Sequence, residues 1–253
     1  MTKKVIAFDL DDTLAITKSP INDRMAELLT QLLERYEVCV ISGGKYEQFK
    51  MQIIDQLEAS HLLLRKLHLM PTCGTRYYRY DDIEKEWKLQ YSEDLTGAQK
   101  KETIMVLEEE AKKLGVWRDK TWGDIIEDRG SQITYSALGQ QAPPEEKYKW
   151  ADENADIKKT LRENVARRCP HLEVRLGGTT SVDVTKPGID KAYGMSKLMN
   201  VLGVSGDEVL FIGDKLEEGG NDYPVKAMGV DTIAVNKCSE TELIVDTLVK
   251  VAL

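Results

Sequence analysis

The stretch Val5-Ile-Ala-Phe-Asp9-Leu-Asp11-Asp12-Thr13-Leu14 carries the residues best suited to chemistry in this chain. A short apolar run of the kind found in buried parallel strands ends in two carboxylates two positions apart, followed by a threonine. A carboxylate at the carboxyl end of such a strand sits where open α/β sheets bind their ligands. Asp9 there can attack phosphorus and form an aspartyl-phosphate. Asp11 can protonate the departing oxygen and later take a proton from the acceptor. A surface turn after a strand uses the same residue types, so the motif needs support from elsewhere in the chain.

Two further strand ends supply it. The run Val38–Ile41 leads into Ser42-Gly43-Gly44, whose hydroxyl and close-approaching backbone suit an anion; Ser42, Gly43 and Thr13 are the candidate phosphate-binding residues. The run Val209-Leu-Phe-Ile212 leads into Gly213-Asp214, with Gly219-Gly220-Asn221-Asp222 soon after. In a parallel sheet these ends share one edge, and Asp9 with Asp214 then makes an oxygen-rich site for a hard cation, with Mg2+ the default for phosphate work. Lys191, at the start of a predicted helix, is placed to neutralise the nucleophile and the phosphoryl oxygens. Each piece has a plainer role open to it: Ser42 as a helix cap, Lys191 as a solvated lysine, Asp222 as a brace for its glycine-rich loop. Their order along the chain favours the joint catalytic reading.

The elements that must position these groups follow from periodicity. Strand Val5–Phe8, a helix from Asn22 to about Tyr36, strand Val38–Ile41 and a helix over about Tyr46–Leu57 make a βαβα series with right-handed crossovers. A third strand at Leu67–Leu69 and a hairpin over Tyr77–Tyr80 and Trp87–Tyr91 follow. Around Leu95-Thr96-Gly97 the pattern changes to a long helix from Ala98 to about Leu114, with strand-like pieces at Asp124–Glu127 and Gln132–Ser136. A polar, proline-bearing stretch from Gly139 to Asp152 reads as loop. Helix Ala155–Arg168 and strands His171–Leu176 and Thr180–Val184 complete an α+β block. After Lys186-Pro187-Gly188 the βαβ rhythm returns, with helix Lys191–Leu202, strand Glu208–Ile212, strand Asp231–Val235 and a terminal helix. The expected fold class is α/β: a doubly wound, Rossmann-like parallel-sheet core from residues 1–94 and 187–253, interrupted by an α+β cap over residues 95–186.

Composition is that of an ordinary globular protein, 42% hydrophobic and 31% charged over 253 residues, with a net charge of −8. No lysine–arginine block would track a nucleic-acid backbone. No apolar stretch approaches the roughly 20 residues of a membrane span. Cys39, Cys73, Cys169 and Cys238 lack zinc or disulfide spacing. The amino terminus runs straight into the first strand, so a cytoplasmic protein is expected, a monomer or homodimer without nucleic-acid or membrane partners.

Taken together, D-x-D-x-T, S-G-G, the lysine and G-D…N-D resemble the haloacid dehalogenase superfamily, magnesium-dependent aspartyl-phosphate phosphotransferases, over nearly the whole chain. The resemblance implies Asp9 as nucleophile, Asp11 as general acid/base, Ser42 on phosphate, and Lys191 as charge neutraliser. It also implies Asp214 on magnesium with the Asp11 backbone carbonyl. Asp9 and Asp222 complete the candidate metal set. Gly213-Asp214-Lys215 and Gly219-Gly220-Asn221-Asp222 look like the eukaryotic-type phosphomannomutases. So does Gly177-Gly178-Thr179-Thr180-Ser181-Val182-Asp183, which resembles their cap strand against a sugar phosphate. That likeness implies Ser181, Asp183 and Arg129 as substrate-binding residues. That family carries further cap arginines where this chain has Gln140 and Lys147, neither a bidentate guanidinium. A mutase must grip a second phosphate and hold a bisphosphate intermediate; a phosphatase needs neither. The substitutions tilt the reading toward a sugar-phosphate phosphatase, with Lys147 a candidate distal-phosphate donor. A phosphomannomutase-like mutase that interconverts hexose 1- and 6-phosphates is the alternative, and a non-catalytic sugar-phosphate binder the remote one.

Overall fold

In the computed structural model, which describes residues 2–251, the chain forms two compact units. The first takes the chain up to Ser92 and again from Asp190; the second spans Glu93–Ile189.

The first unit is built on a seven-stranded sheet of order β11-β10-β1-β2-β3-β4-β5. Its strands are β1 (Val5–Phe8), β2 (Glu37–Ile41), β3 (Leu67–Met70), β4 (Arg76–Asp81), β5 (Glu86–Ser92), β10 (Val209–Gly213) and β11 (Asp231–Ala234). From β11 to β3 the pairs are parallel, and β4 and β5 add an antiparallel hairpin at one edge. Strands β1 and β10 are buried throughout, which is why they read as unbroken apolar runs. The flanking helices are α1 (Asp23–Arg35), α2 (Tyr46–Gln52), α3 (His61–Leu64), α6 (Lys191–Leu202), α7 (Tyr223–Ala227) and α8 (Cys238–Val251). Asn22 caps α1 by accepting from the Met25 N–H, and Met25, Leu28, Leu29, Leu32 and Leu33 bury one face. Helix α2 stops at Gln52, short of the expected Leu57, and a 3-10 turn over Ile54–Gln56 finishes the segment. Helix α3 falls where no element was expected.

Strand β1 lies between β2 and β10, so the connections leave it in opposite directions. This is the topological switch point, and it opens a crevice at the carboxyl end of β1. Phe8 is in register with Val40 and Ile212, which brings Asp9 beside the ends of both neighbours.

The second unit holds a four-stranded antiparallel sheet of order β6-β7-β9-β8, from β6 (Ile126–Asp128), β7 (Gln132–Ser136), β8 (Glu173–Leu176) and β9 (Ser181–Thr185). Helices α4 (Gly97–Lys113) and α5 (Pro144–Arg168) belong to this unit. A capping box between Thr96 and Gln99 starts α4. Ile133, Tyr135, Val182 and Val184 share a core with Leu107, Leu161 and Val165 from these helices. Helix α5 corrects the sequence reading: it begins at Pro144, inside the stretch read as loop. Proline suits the first helical turn because its missing N–H is unpaired there anyway, and Glu145 and Glu146 favour the helix dipole. Non-helical backbone at Asn154 kinks the helix, and its side-chain amide donates to the Trp150 carbonyl, so the periodicity is broken midway.

Candidate active site

Asp9 follows the last residue of β1 and keeps that strand's pairing, its N–H donating to the Ile212 carbonyl at 3.0 Å. The residue is only 4% exposed. Its Oδ1 accepts from the Leu10 N–H at 2.7 Å and lies 2.6 Å from Lys191 Nζ. One oxygen is therefore anchored by two donors. Lys191 opens α6, whose cap is Asp190, accepting from the Tyr193 N–H. The Lys191 ammonium also meets Asp222 Oδ1 at 2.5 Å, with both partners fully buried. Asp222 Oδ2 accepts from the Lys215 N–H at 3.0 Å, so both of its oxygens are engaged. Any Cβ at Gly213 would collide with that carboxylate, which explains the glycine before Asp214.

These charges set the local electrostatics. Burial pushes the Asp9 carboxyl well above the usual carboxylate range; Lys191 opposes the shift, and Asp222 and Asp214 add to it. Burial alone would lower the Lys191 ammonium, but Asp222 and Asp9 outweigh it and hold its pKa above the ordinary lysine value. Asp214 is also raised by burial, against the pull of Lys215, whose Nζ lies 3.2 Å away. Oxygen atoms of Asp9, Asp214 and Asp222 lie within 4.8 Å of one another. Three carboxylates around one buried ammonium leave excess negative charge, and an all-oxygen donor set suits a hard divalent cation. Asp222 has both oxygens engaged, by Lys191 and by the Lys215 N–H.

The candidate phosphate-binding residues sit nearby in the fold. Ser42, at the end of β2, is buried, and its hydroxyl accepts from the Gly44 N–H at 3.2 Å. Gly43 is half-buried between them. Thr13 is fully buried and its hydroxyl has no hydrogen-bond partner, a polar atom awaiting one.

Asp11 is held by residues that the sequence did not single out. Its Oδ1 accepts from the Lys18 N–H at 2.9 Å and from Gln52 Nε2 at 3.2 Å; its Oδ2 accepts from Gln48 Nε2 at 3.0 Å. Asp12 has left-handed backbone, φ 61°, which aspartate tolerates, and its carboxylate accepts from the Thr17 N–H and hydroxyl. The signal for the glutamines was faint: two polar residues at i and i+4 beside Phe49, on a helix that follows Ser42-Gly43-Gly44 directly.

In the second unit the sheet sorts the predicted substrate residues by alternation. Ser181 and Asp183 lie on the opposite face of β9 from Val182 and Val184. Asp183 accepts from the Thr134 hydroxyl at 2.8 Å, across the register pair Thr134–Asp183. Arg129, 8% exposed, sits in the β6–β7 turn, its Nε 2.7 Å from Glu127 and its Nη2 donating to Gln140 Oε1 at 3.1 Å. Lys147 is also buried and donates to the Gln140 carbonyl at 3.1 Å. The structure thus brings Arg129, Gln140 and Lys147 together from three segments, and Gln140 Nε2 is left without a partner. Lys158, absent from the sequence reading, donates to the Gly178 and Thr179 carbonyls and secures the β8–β9 loop.

A seven-stranded α/β sheet with its switch point at Asp9, and a separate α+β unit inserted in the chain, define the haloacid dehalogenase fold with a cap domain. Solved structures bear this out. An IMP-bound, N-terminally truncated IMP-nucleotidase of Plasmodium falciparum superimposes with a TM-score of 0.71 at 14% identity, covering 99% of this chain and 69% of that one. A trehalose-6-phosphate phosphatase related protein gives 0.56 at 14% identity, covering 98% of each. The model of the eukaryotic phosphomannomutase family matches residues 25–250, and the chain belongs to that family. A phosphomannomutase of Encephalitozoon cuniculi is 27% identical, covering 98% of this chain and 94% of its own length. A probable phosphomannomutase of Caenorhabditis elegans is 24% identical, covering 89% and 87%. The chain is accordingly an enzyme of phosphatase or phosphomutase type.

Proposed function

We propose that this protein is a phosphomutase that moves a phosphoryl group between positions of a hexose through an aspartyl-phosphate on Asp9. The observation that carries the chemistry is the Asp9 carboxylate at the switch point, one oxygen pinned by Leu10 and Lys191. Its other oxygen attacks phosphorus as the bond from phosphorus to the sugar oxygen breaks, and Asp11 gives that oxygen a proton. In the second half, a hexose monophosphate presents the free hydroxyl opposite its own phosphate, and that hydroxyl gives a proton to Asp11 and attacks phosphorus. The Asp9 carboxylate leaves and a hexose bisphosphate forms, the species that phosphorylates Asp9 in the first half. Lys191, held by Asp222, keeps positive charge against the phosphoryl oxygens throughout. Ser42, Gly43 and Thr13 bind the same oxygens. Mg2+ would be held by Asp9, Asp214 and the Asp11 carbonyl, and supplies charge neutralisation for the transferring group.

Transfer to a sugar hydroxyl is favoured over transfer to water by the relatives named phosphomannomutase, against the tilt toward hydrolysis given by Gln140 and Lys147. The second unit supports the same reading. Arg129, Lys147 and the open Gln140 amide form one polar cluster suited to a non-reacting phosphate, with Ser181 and Asp183 for sugar hydroxyls. The unit boundaries at Ser92 and Asp190 are consistent with a substrate-binding cap over roughly residues 95–186.

The test is incubation with magnesium and mannose 1-phosphate, with and without a hexose 1,6-bisphosphate, following both inorganic phosphate and the 6-phosphate isomer. Isomer without phosphate release is expected, and Asp9→Asn abolishes it. Phosphate release alone overturns the mutase reading in favour of a phosphatase.

A further inference from the structure

The contacts of Asp11 distinguish its two oxygens. Oδ1 accepts two hydrogen bonds, from the Lys18 N–H and Gln52 Nε2; Oδ2 accepts one, from Gln48 Nε2. A carboxylate oxygen has two lone-pair directions, so Oδ1 is filled and Oδ2 keeps one free. Gln48 itself is fixed at both ends of its amide. Lys18 Nζ donates to Gln48 Oε1 at 2.6 Å, which forces the NH₂ toward Asp11. An ammonium only donates and a carboxylate only accepts, and a side-chain amide, which does both, links them here. Gln48 is 7% exposed, and Gln52 is fully buried and further tied to the Ser19 carbonyl at 2.8 Å. Gln48 also lies against Gly44, where any Cβ would collide with Oε1, so the amide is seated on the Ser42-Gly43-Gly44 loop.

We infer that Gln48 is a positioning residue for proton transfer: held by Lys18, it orients Asp11 so that Oδ2 is the oxygen that passes the proton. The inference rests on the role proposed for Asp11. In each half-reaction the proton moves between Asp11 Oδ2 and a sugar oxygen, outward as the phosphorus–oxygen bond breaks and inward as the new one forms. Gln48 donates to Oδ2 throughout and exchanges no proton itself. Nothing in the motif pattern marks this residue; its role follows from where α2 sets it against the loop after β1.

The test is a double-mutant cycle in excess magnesium, measured on whichever member of a panel of hexose phosphates and p-nitrophenyl phosphate the wild type turns over fastest. Gln48→Met keeps the size and removes both hydrogen bonds. Gln48→Glu keeps the link to Lys18 but faces Asp11 with a like charge. Each is made alone and with Asp11→Asn, and Gln48→Glu carries the test should the methionine variant fail to fold. Loss of orientation at the proton-transfer group costs about 10²-fold in kcat, with KM changed by less than about threefold. On the Asp11→Asn background neither substitution is expected to cost more than about twofold further, because the group that Gln48 acts through is gone. An undiminished loss on that background, or a rise in KM with kcat kept, overturns the inference. Wild-type kcat in Asp11→Asn alone would instead overturn the acid/base role of Asp11, and no turnover of any panel member by the wild type would overturn the Asp9 chemistry beneath both.

Discussion

Replacing Lys191 with methionine tests whether the buried charge cluster is arranged as described. Lys191 is 1% exposed and reaches Asp9 at 2.6 Å and Asp222 at 2.5 Å, with those carboxylates 6% and 0% exposed. Methionine fills a similar volume, so the cost comes from stranding two buried carboxylates and not from a cavity. Removing one partner of a buried pair costs about 3–5 kcal/mol. For a chain of this size that lowers Tm by roughly 6–20 °C. The deficit also has a pH signature. Asp9 has a native pKa above the ordinary carboxylate value, so its favourable contribution is complete below about pH 4 and is lost as pH rises through the native value. Without Lys191 that native value rises further, and the loss continues to higher pH. Lys191's own pKa is raised above 10.5, so the contribution it makes in the wild type is constant between pH 5 and 8. Urea and thermal unfolding of both proteins, in chelator at pH 5 and pH 8, therefore give a larger gap at pH 8. A gap under about 1 kcal/mol, or one larger at pH 5, would refute the arrangement.

Two further outcomes follow from the same region. A Cβ at Gly194 would lie 2.5 Å from Ile41 Cδ1 and 2.6 Å from the Cys73 carbonyl, one turn beyond Lys191. Gly194→Ala is expected to destabilise by about 1–3 kcal/mol and to lower kcat by shifting α6, despite the ~1 kcal/mol that alanine gains in an open helix; a stabilised variant in urea unfolding counts against this close approach. Magnesium at 100 times its Kd is expected to stabilise by about 2.7 kcal/mol, read as a rise in Tm that EDTA reverses and Asp214→Asn removes. An equal rise in Asp214→Asn would place the cation elsewhere.

Much of the first unit was legible because its strands are buried on both faces and end in glycine and aspartate. Val5–Phe8 and Val209–Ile212 read as short apolar runs, and the turn residues that stop them supply aspartates of the candidate site. The second unit was less legible. Pro143-Pro144 reads as a loop and starts a helix, because proline both breaks helices and fits their first turn; the kink at Asn154 then hides the period. Gln48 and Gln52 escaped notice because a glutamine on a helix is ordinarily solvated, and only the approach of the β1 loop gives them a carboxylate to hold. Gln140 and Lys147 looked like losses when compared with arginines one position at a time; together with Arg129 they form a cluster.

The sequence by itself determined the order of chemical groups, the strands that end in them and the reaction class to which they point. It did so because strand burial and turn chemistry are local and leave their pattern in neighbouring residues. Tertiary structure alone decided which oxygens are free. Asp222 meets Lys191 and the Lys215 N–H, Asp9 has one oxygen anchored, and Asp11 is clamped by Lys18, Gln48 and Gln52. Asp11 and Gln52 lie 41 positions apart in the chain, and hydrogen-bond direction depends on distances of a few tenths of an ångström that no residue spacing encodes.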